Sequence, residues 1–171
     1  MQVRYDTNAD RVLWQVRTFG GELFAVWLTR RMLQRLWQPF NTLVAQSSIA
    51  HVLPHASVMP EAREMLAQVA RERPLPAANF SQPFDPKPVA QPLGPEPLLA
   101  VAVDLTPAKP GQGLVIRLRD AQGRSVEMRL SDDLATALTR LMEQALAAAD
   151  WGFAAPAPTV SAQPVPPHSL N

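Results

Sequence analysis

The sequence contains no cysteine. This absence excludes a disulfide-stabilised scaffold, a thiolate zinc site, an iron–sulfur cluster and a cysteine nucleophile. An excess of charge of one sign is also lacking, because 16 Lys and Arg residues are set against 15 Asp and Glu residues. Such a balance disfavours a strongly basic nucleic-acid binder and an acidic disordered chain.

Long apolar runs are absent as well. The least polar stretch, Leu134–Ala149, is interrupted by threonine, arginine, glutamate and glutamine, so we expect no membrane span and no membrane partner. The N-terminal residues Met1–Asp6 lack the basic stretch and apolar run of a secretory signal. We therefore expect a cytoplasmic location.

Motifs for catalysis or cofactor binding are also missing. The sequence has neither a glycine-rich phosphate loop nor a G-x-S-x-G nucleophile motif. His51 and His55 are four residues apart, but Pro54 lies between them and no carboxylate accompanies them at metal-ligand spacing. We expect a protein that is not an enzyme and that has no catalytic residues, no cofactor and no metal.

What the sequence does contain is an internal repeat. Residues 11–37 align without a gap on residues 113–139, and the apolar positions coincide. Gly21 aligns with Gly123, and Thr29 aligns with Ser131. Each half shows two segments of period-two alternation around a glycine turn, followed by helical periodicity. One further strand is expected to precede each hairpin.

The fold class predicted is α+β, with two pseudo-symmetric βββα units that have antiparallel sheets and one helix each. The first unit spans residues 1–53 and the second spans residues 98–153, and the two halves are expected to pack as one domain because a unit of this size buries too little surface alone. The expected strands are Gln2–Asp6, Arg11–Arg17 and Glu22–Leu28 in the first unit, and Leu98–Leu105, Leu114–Arg119 and Ser125–Leu130 in the second.

Helix signals complete this organisation. Thr29 and Ser131 are expected to cap the helices of the two units, and Pro39 is expected to end or kink the first helix near Gln38. A middle helix is predicted over residues 57–73. Residues 74–97 contain 8 prolines and predict an extended, Pro-rich crossover connector, and residues 154–171 predict a disordered tail.

Helical periodicity predicts an apolar stripe on each of the two helices, and these stripes are expected to pack with the hairpins in one core. The stripe on the last helix is expected to contain Leu134, Leu138, Leu141, Met142 and Ala145. The expected core consists of Trp14, Val16, Phe24, Val26, Leu28, Leu36, Ile116, Leu118, Met128, Leu130, Leu138 and Leu141.

The outward faces of the two hairpins differ. In the first hairpin, Leu13, Leu23 and Trp27 are apolar where the second hairpin is mostly charged. An apolar outward face must be covered. Its cover is either the middle helix and the connector residues Phe80 and Phe84, or a partner or second copy that binds around Trp27.

The starts of the two terminal helices also differ. Asp132 and Asp133 place carboxylates in the first turn, where the helix dipole favours them, whereas Arg30 and Arg31 place two cations there. The arginines are expected to bind an anion such as phosphate or an acidic peptide, to pair with the two aspartates, or to be solvated.

These features predict a non-catalytic protein–protein interaction or adaptor module. Its partner is a protein, a second copy of the chain or an acidic peptide, and the partner-binding residues predicted are Leu13, Arg17, Leu23, Trp27, Arg30 and Arg31. The alternative is a single-stranded nucleic-acid-binding protein that uses a Trp and Arg sheet face. A duplicated sheet-plus-helix arrangement resembles the Whirly and PUR-repeat single-strand binders, whose units have four strands.

Overall fold

The computed structural model describes residues 1–52, 65–66, 68–69, 72, 74–75, 84, 87, 89–109 and 112–152. Within this part of the chain the protein is a mixed α+β structure with two sheets and two helices of defined bounds. The elements are β1 Gln2–Asp6, β2 Arg11–Arg17, β3 Leu23–Thr29, α1 Arg30–Val52, β4 Leu98–Leu99, β5 Ala102–Pro107, β6 Leu114–Arg119, β7 Ser125–Leu130 and α2 Asp132–Ala149.

The first sheet has four strands in the order β1-β2-β3-β4. The first three strands are antiparallel, and the short strand β4 runs parallel to β3. Gly21 makes the turn between β2 and β3 at a φ of 84°, in the left-handed region that a residue without a Cβ adopts most readily. Before β4 begins, Val89 and Ala90 hydrogen-bond to Gly21 and Leu23 along the same side of β3.

The second sheet has three antiparallel strands in the order β5-β6-β7. The single strand expected over Leu98–Leu105 is wrong, because this segment divides between the two sheets. Leu98 and Leu99 pair with β3, whereas the backbone from Ala102 onwards pairs with β6. Ala100 donates to the Trp27 carbonyl and Val101 donates to the Arg119 carbonyl, so the chain crosses from one sheet to the other between these residues.

Both helices begin at the predicted caps. The Thr29 hydroxyl accepts from the Met32 amide at 3.2 Å, and the Ser131 hydroxyl accepts from the Leu134 amide at 3.4 Å. Of the two effects expected of Pro39, an end of the first helix is not observed, because α1 continues to Val52 with Pro39 inside it. Proline removes only one helical hydrogen bond, and tertiary packing outweighs this loss. On either side of the proline, the buried apolar residues of α1 are Leu33, Leu36, Trp37, Phe40 and Val44.

One hydrophobic core contains residues from both halves of the chain. Eight of the twelve predicted core residues are buried, and Val16, Phe24, Met128 and Leu141 are half-buried. The predicted stripe of α2 is shifted, since Leu134 is 48% exposed and Ala135 is buried in its place. Helix α2 packs on β1, and small residues, among them Ala135, Ala137 and Ala145, are buried along it.

Two predicted segments fall largely outside the described residues. Of the middle helix predicted over 57–73, the described positions Met65, Leu66, Gln68, Val69 and Glu72 are helical. The tail predicted over 154–171 lies entirely outside. Among the described residues, no helix is both long and apolar enough to cross a bilayer.

Candidate functional site

A groove runs between the N-terminal half of α1 and the segment that crosses between the sheets. Its larger part has a volume of about 400 Å³, and a part of about 350 Å³ adjoins it toward the start of α1. The two parts share Met32, Arg35 and Val101. The groove exists because the chain leaves β4 for β5 beside the helix, and Val101 at this crossing is 54% exposed.

The lining of the groove is mostly apolar, with cations toward the start of the helix. Met32, Leu36 and Pro39 line it on the α1 side, and Val103 and Leu105 line it on the β5 side. Arg31 and Arg35 belong to the part nearer the helix start. In the described part of the chain, neither arginine has a hydrogen-bond or ion-pair partner, so both guanidiniums are available to a ligand.

The described lining of the groove offers apolar side chains and two guanidiniums. None of its described lining residues is a carboxylate, a histidine or a lysine, and the Thr29 hydroxyl is engaged as the cap of α1. Across the described residues, no cluster of three or more His, Asp or Glu side chains could hold a metal ion. The described lining side chains can make apolar contacts and can pair with a bound anion.

The predicted face of the first hairpin is only partly available. Leu13 and Leu23 are 4% and 7% exposed, so these two predicted partner-binding residues are buried within the chain. Trp27 is half-buried, and its register partner on β4 is Leu99, which lines the groove. Because register partners lie on the same face of a sheet, the surface around Trp27 is continuous with the groove.

Arg17 lies away from this surface. Its register partner is Leu23 beside the hairpin turn, whereas Trp27 pairs with Leu13, which precedes Arg17 by four residues on β2. Four residues of strand correspond to about 14 Å. The structure therefore brings Trp27, Leu99 and Arg31 to one region and leaves the exposed Arg17 at the other end of the hairpin.

Arg30 has a separate structural contact. Its guanidinium donates to the Trp151 carbonyl at 3.0 Å, just after the end of α2. The Trp151 indole and the Tyr5 hydroxyl each donate to Asp10 Oδ1 at 2.8 Å, and the two rings meet edge to face. The Tyr5 and Trp151 hydrogen bonds and the Arg30 cation lower the pKa of Asp10, while the bond to Asp10 raises the pKa of Tyr5.

Asp132 is also held by a contact with α1, although not with its arginines. The Ser47 hydroxyl donates to Asp132 Oδ1 at 2.5 Å and accepts from the Gly113 amide at 3.2 Å. This contact joins the C-terminal half of α1 to the start of α2. Arg30 and Asp132 therefore bond to different groups, at Trp151 and at Ser47.

Sequence reasoning missed most of the groove. Arg35 follows Arg31 by four residues and therefore lies on the same side of α1, a spacing visible in the sequence. The sequence pattern places Met32 on the apolar stripe of the first helix and predicts only that Pro39 ends or kinks that helix. Val101 gave no signal, because the division of residues 98–105 between two sheets depends on tertiary packing rather than on local alternation.

Comparisons with protein-family models, with curated proteins and with solved structures give no match for this chain.

Proposed function

We propose that this protein is a non-catalytic interaction module that binds a partner protein. The binding surface is the groove between α1 and β5 together with the adjoining Trp27–Leu99 surface. The observation that carries the proposal is the groove itself, which is mostly apolar and includes two guanidiniums that have no partner among the described residues. Tryptophan, arginine and an apolar pocket are the combination found at the energetic centres of protein interfaces.

The residues predicted for this surface now divide by role. Trp27 and Arg31 belong to the proposed surface, Arg30 stabilises the junction with Trp151, and Leu13 and Leu23 are buried and not available to a partner. Trp27→Ala is expected to weaken partner binding and to leave the fold intact. Loss of the cooperative unfolding transition in this variant would instead make Trp27 a core residue.

The proposed pseudo-symmetric relationship between the two βββα units is a separate hypothesis. It is supported by two features that recur at the aligned positions. Gly21 and Gly123 have φ values of 84° and 85°, and Thr29 and Ser131 both cap the helix that follows their hairpin. In this hypothesis the first unit has three strands of its own, and β4 joins its sheet as a fourth strand. The groove lies where the chain passes from β4 to β5 of the second sheet.

The test of the proposed function is a selection of peptides from a random display library on the full-length chain. Val101→Asp places a charge at the centre of the groove, and we expect it to weaken the selected peptides at least about tenfold. Leu134→Asp is the matched control, because Leu134 is also an exposed aliphatic residue but lies outside the groove lining.

Two results would contradict this proposal. Equal binding of the selected peptides to both aspartate variants would place their site outside the groove. Alternatively, a labelled single-stranded oligonucleotide could bind more tightly than any selected peptide, with an affinity that falls steeply as salt rises. That result would favour the nucleic-acid function instead.

A further inference from the structure

Strand β5 forms an edge of the second sheet. The order β5-β6-β7 gives it a neighbour on one side only, and in the described part of the chain no strand pairs with its other side. Alternate backbone N–H and C=O groups of an edge strand point away from the sheet and can pair with another extended chain. Pro107, the last residue of β5, has no N–H to donate, so the edge open to pairing is Ala102–Thr106.

The groove lies beside this edge. β5 side chains on the core face alternate with those on the outward face, and the register partners of Val103 and Leu105 are the buried Leu118 and Ile116. Val103 and Leu105 therefore point toward the helix layer, where Met32, Leu36 and Pro39 complete the wall. An extended chain added to β5 would place every second side chain between that wall and the sheet.

Arg31 and Arg35 have no partner among the described residues, and their spacing matches that of such a chain. Arg31 and Arg35 are four residues apart, which corresponds to about 6 Å along a helix. Side chains on one face of a strand repeat at about 6.8 Å. Two carboxylates at alternate positions of an added strand can therefore reach one arginine each.

We propose that the partner segment is an acidic extended peptide that adds to β5 as a further strand. Its helix-facing side chains are carboxylates near Arg31 and Arg35 and aliphatic groups near Leu36 and Leu105. Charge complementarity selects an acidic partner, since the described lining of the groove contains two cations and no anion. This inference rests on the proposed function and adds the binding mode and the chemistry of the partner.

The test uses the full chain and two labelled peptides, acetyl-Glu-Thr-Glu-Thr-Val-Thr-Val-amide and its reversed sequence, so that both strand directions are sampled. We expect saturable binding of one peptide, measured by fluorescence anisotropy. Replacing its glutamates by glutamines should weaken binding at least about tenfold, as should the double variant Arg31→Glu, Arg35→Glu. Arg129→Glu on the outward face of β7 is the matched charge-reversal control.

The strand geometry is tested through the peptide backbone. Methylation of one alternate set of peptide amides should weaken binding at least about thirtyfold, because two or more hydrogen bonds to β5 are lost. Methylation of the other set should be tolerated. Hydrogen exchange followed by NMR should show that alternate amides between Ala102 and Thr106 become protected when the peptide binds.

The outcomes separate this inference from the proposed function. If library-selected peptides lose binding with Val101→Asp but neither methylation set matters, the groove binds a partner and the strand geometry is wrong. Failure of both designed peptides to bind, while selected peptides do bind in the groove, overturns the acidic strand. A dimer in light scattering that Val101→Asp converts to a monomer would identify a second copy as the occupant and overturn the peptide proposal.

Discussion

The guanidinium of Arg30 donates a hydrogen bond to the carbonyl oxygen of Trp151, although 121 residues separate the two in the chain. The next residue, Arg31, has no such partner among the described residues and lines the groove. Neighbouring cations at one helix start therefore have different roles. Arg30 joins the start of α1 to the end of α2, and Arg31 remains available to an anionic ligand.

This difference predicts that two adjacent substitutions have unequal effects on stability. Arg30→Ala should lower the free energy of unfolding by about 1 kcal/mol, the net value of the lost hydrogen bond. Arg31→Ala should change it by less than about 0.5 kcal/mol, as is usual for an exposed side chain. Urea unfolding followed by tryptophan fluorescence measures both values. Equal losses in the two variants would contradict the separate roles.

The junction around Asp10 predicts an acid-dependent loss of stability. Because hydrogen bonds from Tyr5 and Trp151 lower the pKa of Asp10 in the folded protein, its stabilising contribution is present above the unfolded pKa. The contribution is lost as the pH falls through the folded value, below about pH 4. Asp10→Asn should therefore reduce stability at pH 7 and flatten the decrease of stability on acidification.

Asparagine suits this experiment because Asp10 has a φ of 48°, a conformation that asparagine tolerates well. The substitution thus changes the charge with little backbone strain. Asp104→Asn is the control, since Asp104 is an exposed carboxylate that pairs with Arg119 on the sheet surface. Thermal unfolding at several pH values measures the effect, and identical pH profiles for wild type and Asp10→Asn would contradict the prediction.

Local sequence signals predicted where the strands and helices lie better than they predicted which of these elements pack side by side. Period-two alternation and the turn glycines located both hairpins, and the hydroxyl residues Thr29 and Ser131 marked both helix starts. The pattern over Leu98–Leu105 is equally regular, yet the backbone divides there between two sheets. Alternation reports which side chains face a core and carries no information on which strand lies alongside.

The candidate site was harder to predict for the same reason. Arg31 was singled out because cations are unfavourable at a helix start, a rule that sequence alone can apply. Leu13 and Leu23 are buried although they lie on the opposite face of the first hairpin from Val12 and Trp14, and local alternation carries no information on whether such a face is covered. The groove depends on the crossing at Val101, which only the assembled fold defines.

Arg124 joins the β6–β7 turn to the segment that precedes β4. Its Nε donates to the buried Asp120 carboxylate at 2.6 Å, and its Nη1 donates to the carbonyls of Leu93 and Glu96 at 2.7 and 3.2 Å. Burial acts to raise the pKa of Asp120, but the bonds from Arg124 and Gln122 outweigh it and the pKa is lowered. One side chain thus links the two sheets.

The corresponding variant is Arg124→Ala. Loss of its bonds to the two carbonyl oxygens and to the buried Asp120 carboxylate should lower the free energy of unfolding by at least about 3 kcal/mol and speed hydrogen exchange over residues 89–97. Arg117→Ala is the control, because Arg117 pairs with Glu127 on the exposed sheet face and should cost less than about 1 kcal/mol. Unchanged exchange over residues 89–97 in Arg124→Ala would show that this segment is held by other contacts.

Two glycines with nearly the same backbone conformation differ in the space around them. Gly113 and Gly123 have φ values of 82° and 85°, but a Cβ at Gly113 would lie 1.9 Å from the Leu130 carbonyl oxygen, whereas at Gly123 it would meet nothing within 4 Å. Gly123→Ala should therefore cost only the left-handed conformation, about 1 kcal/mol. Gly113→Ala should cost at least about 4 kcal/mol, because the backbone of Leu130 and Ser131 must move. Thermal unfolding of both variants isolates the steric contribution, and equal losses would mean that β6 and the end of β7 do not approach so closely.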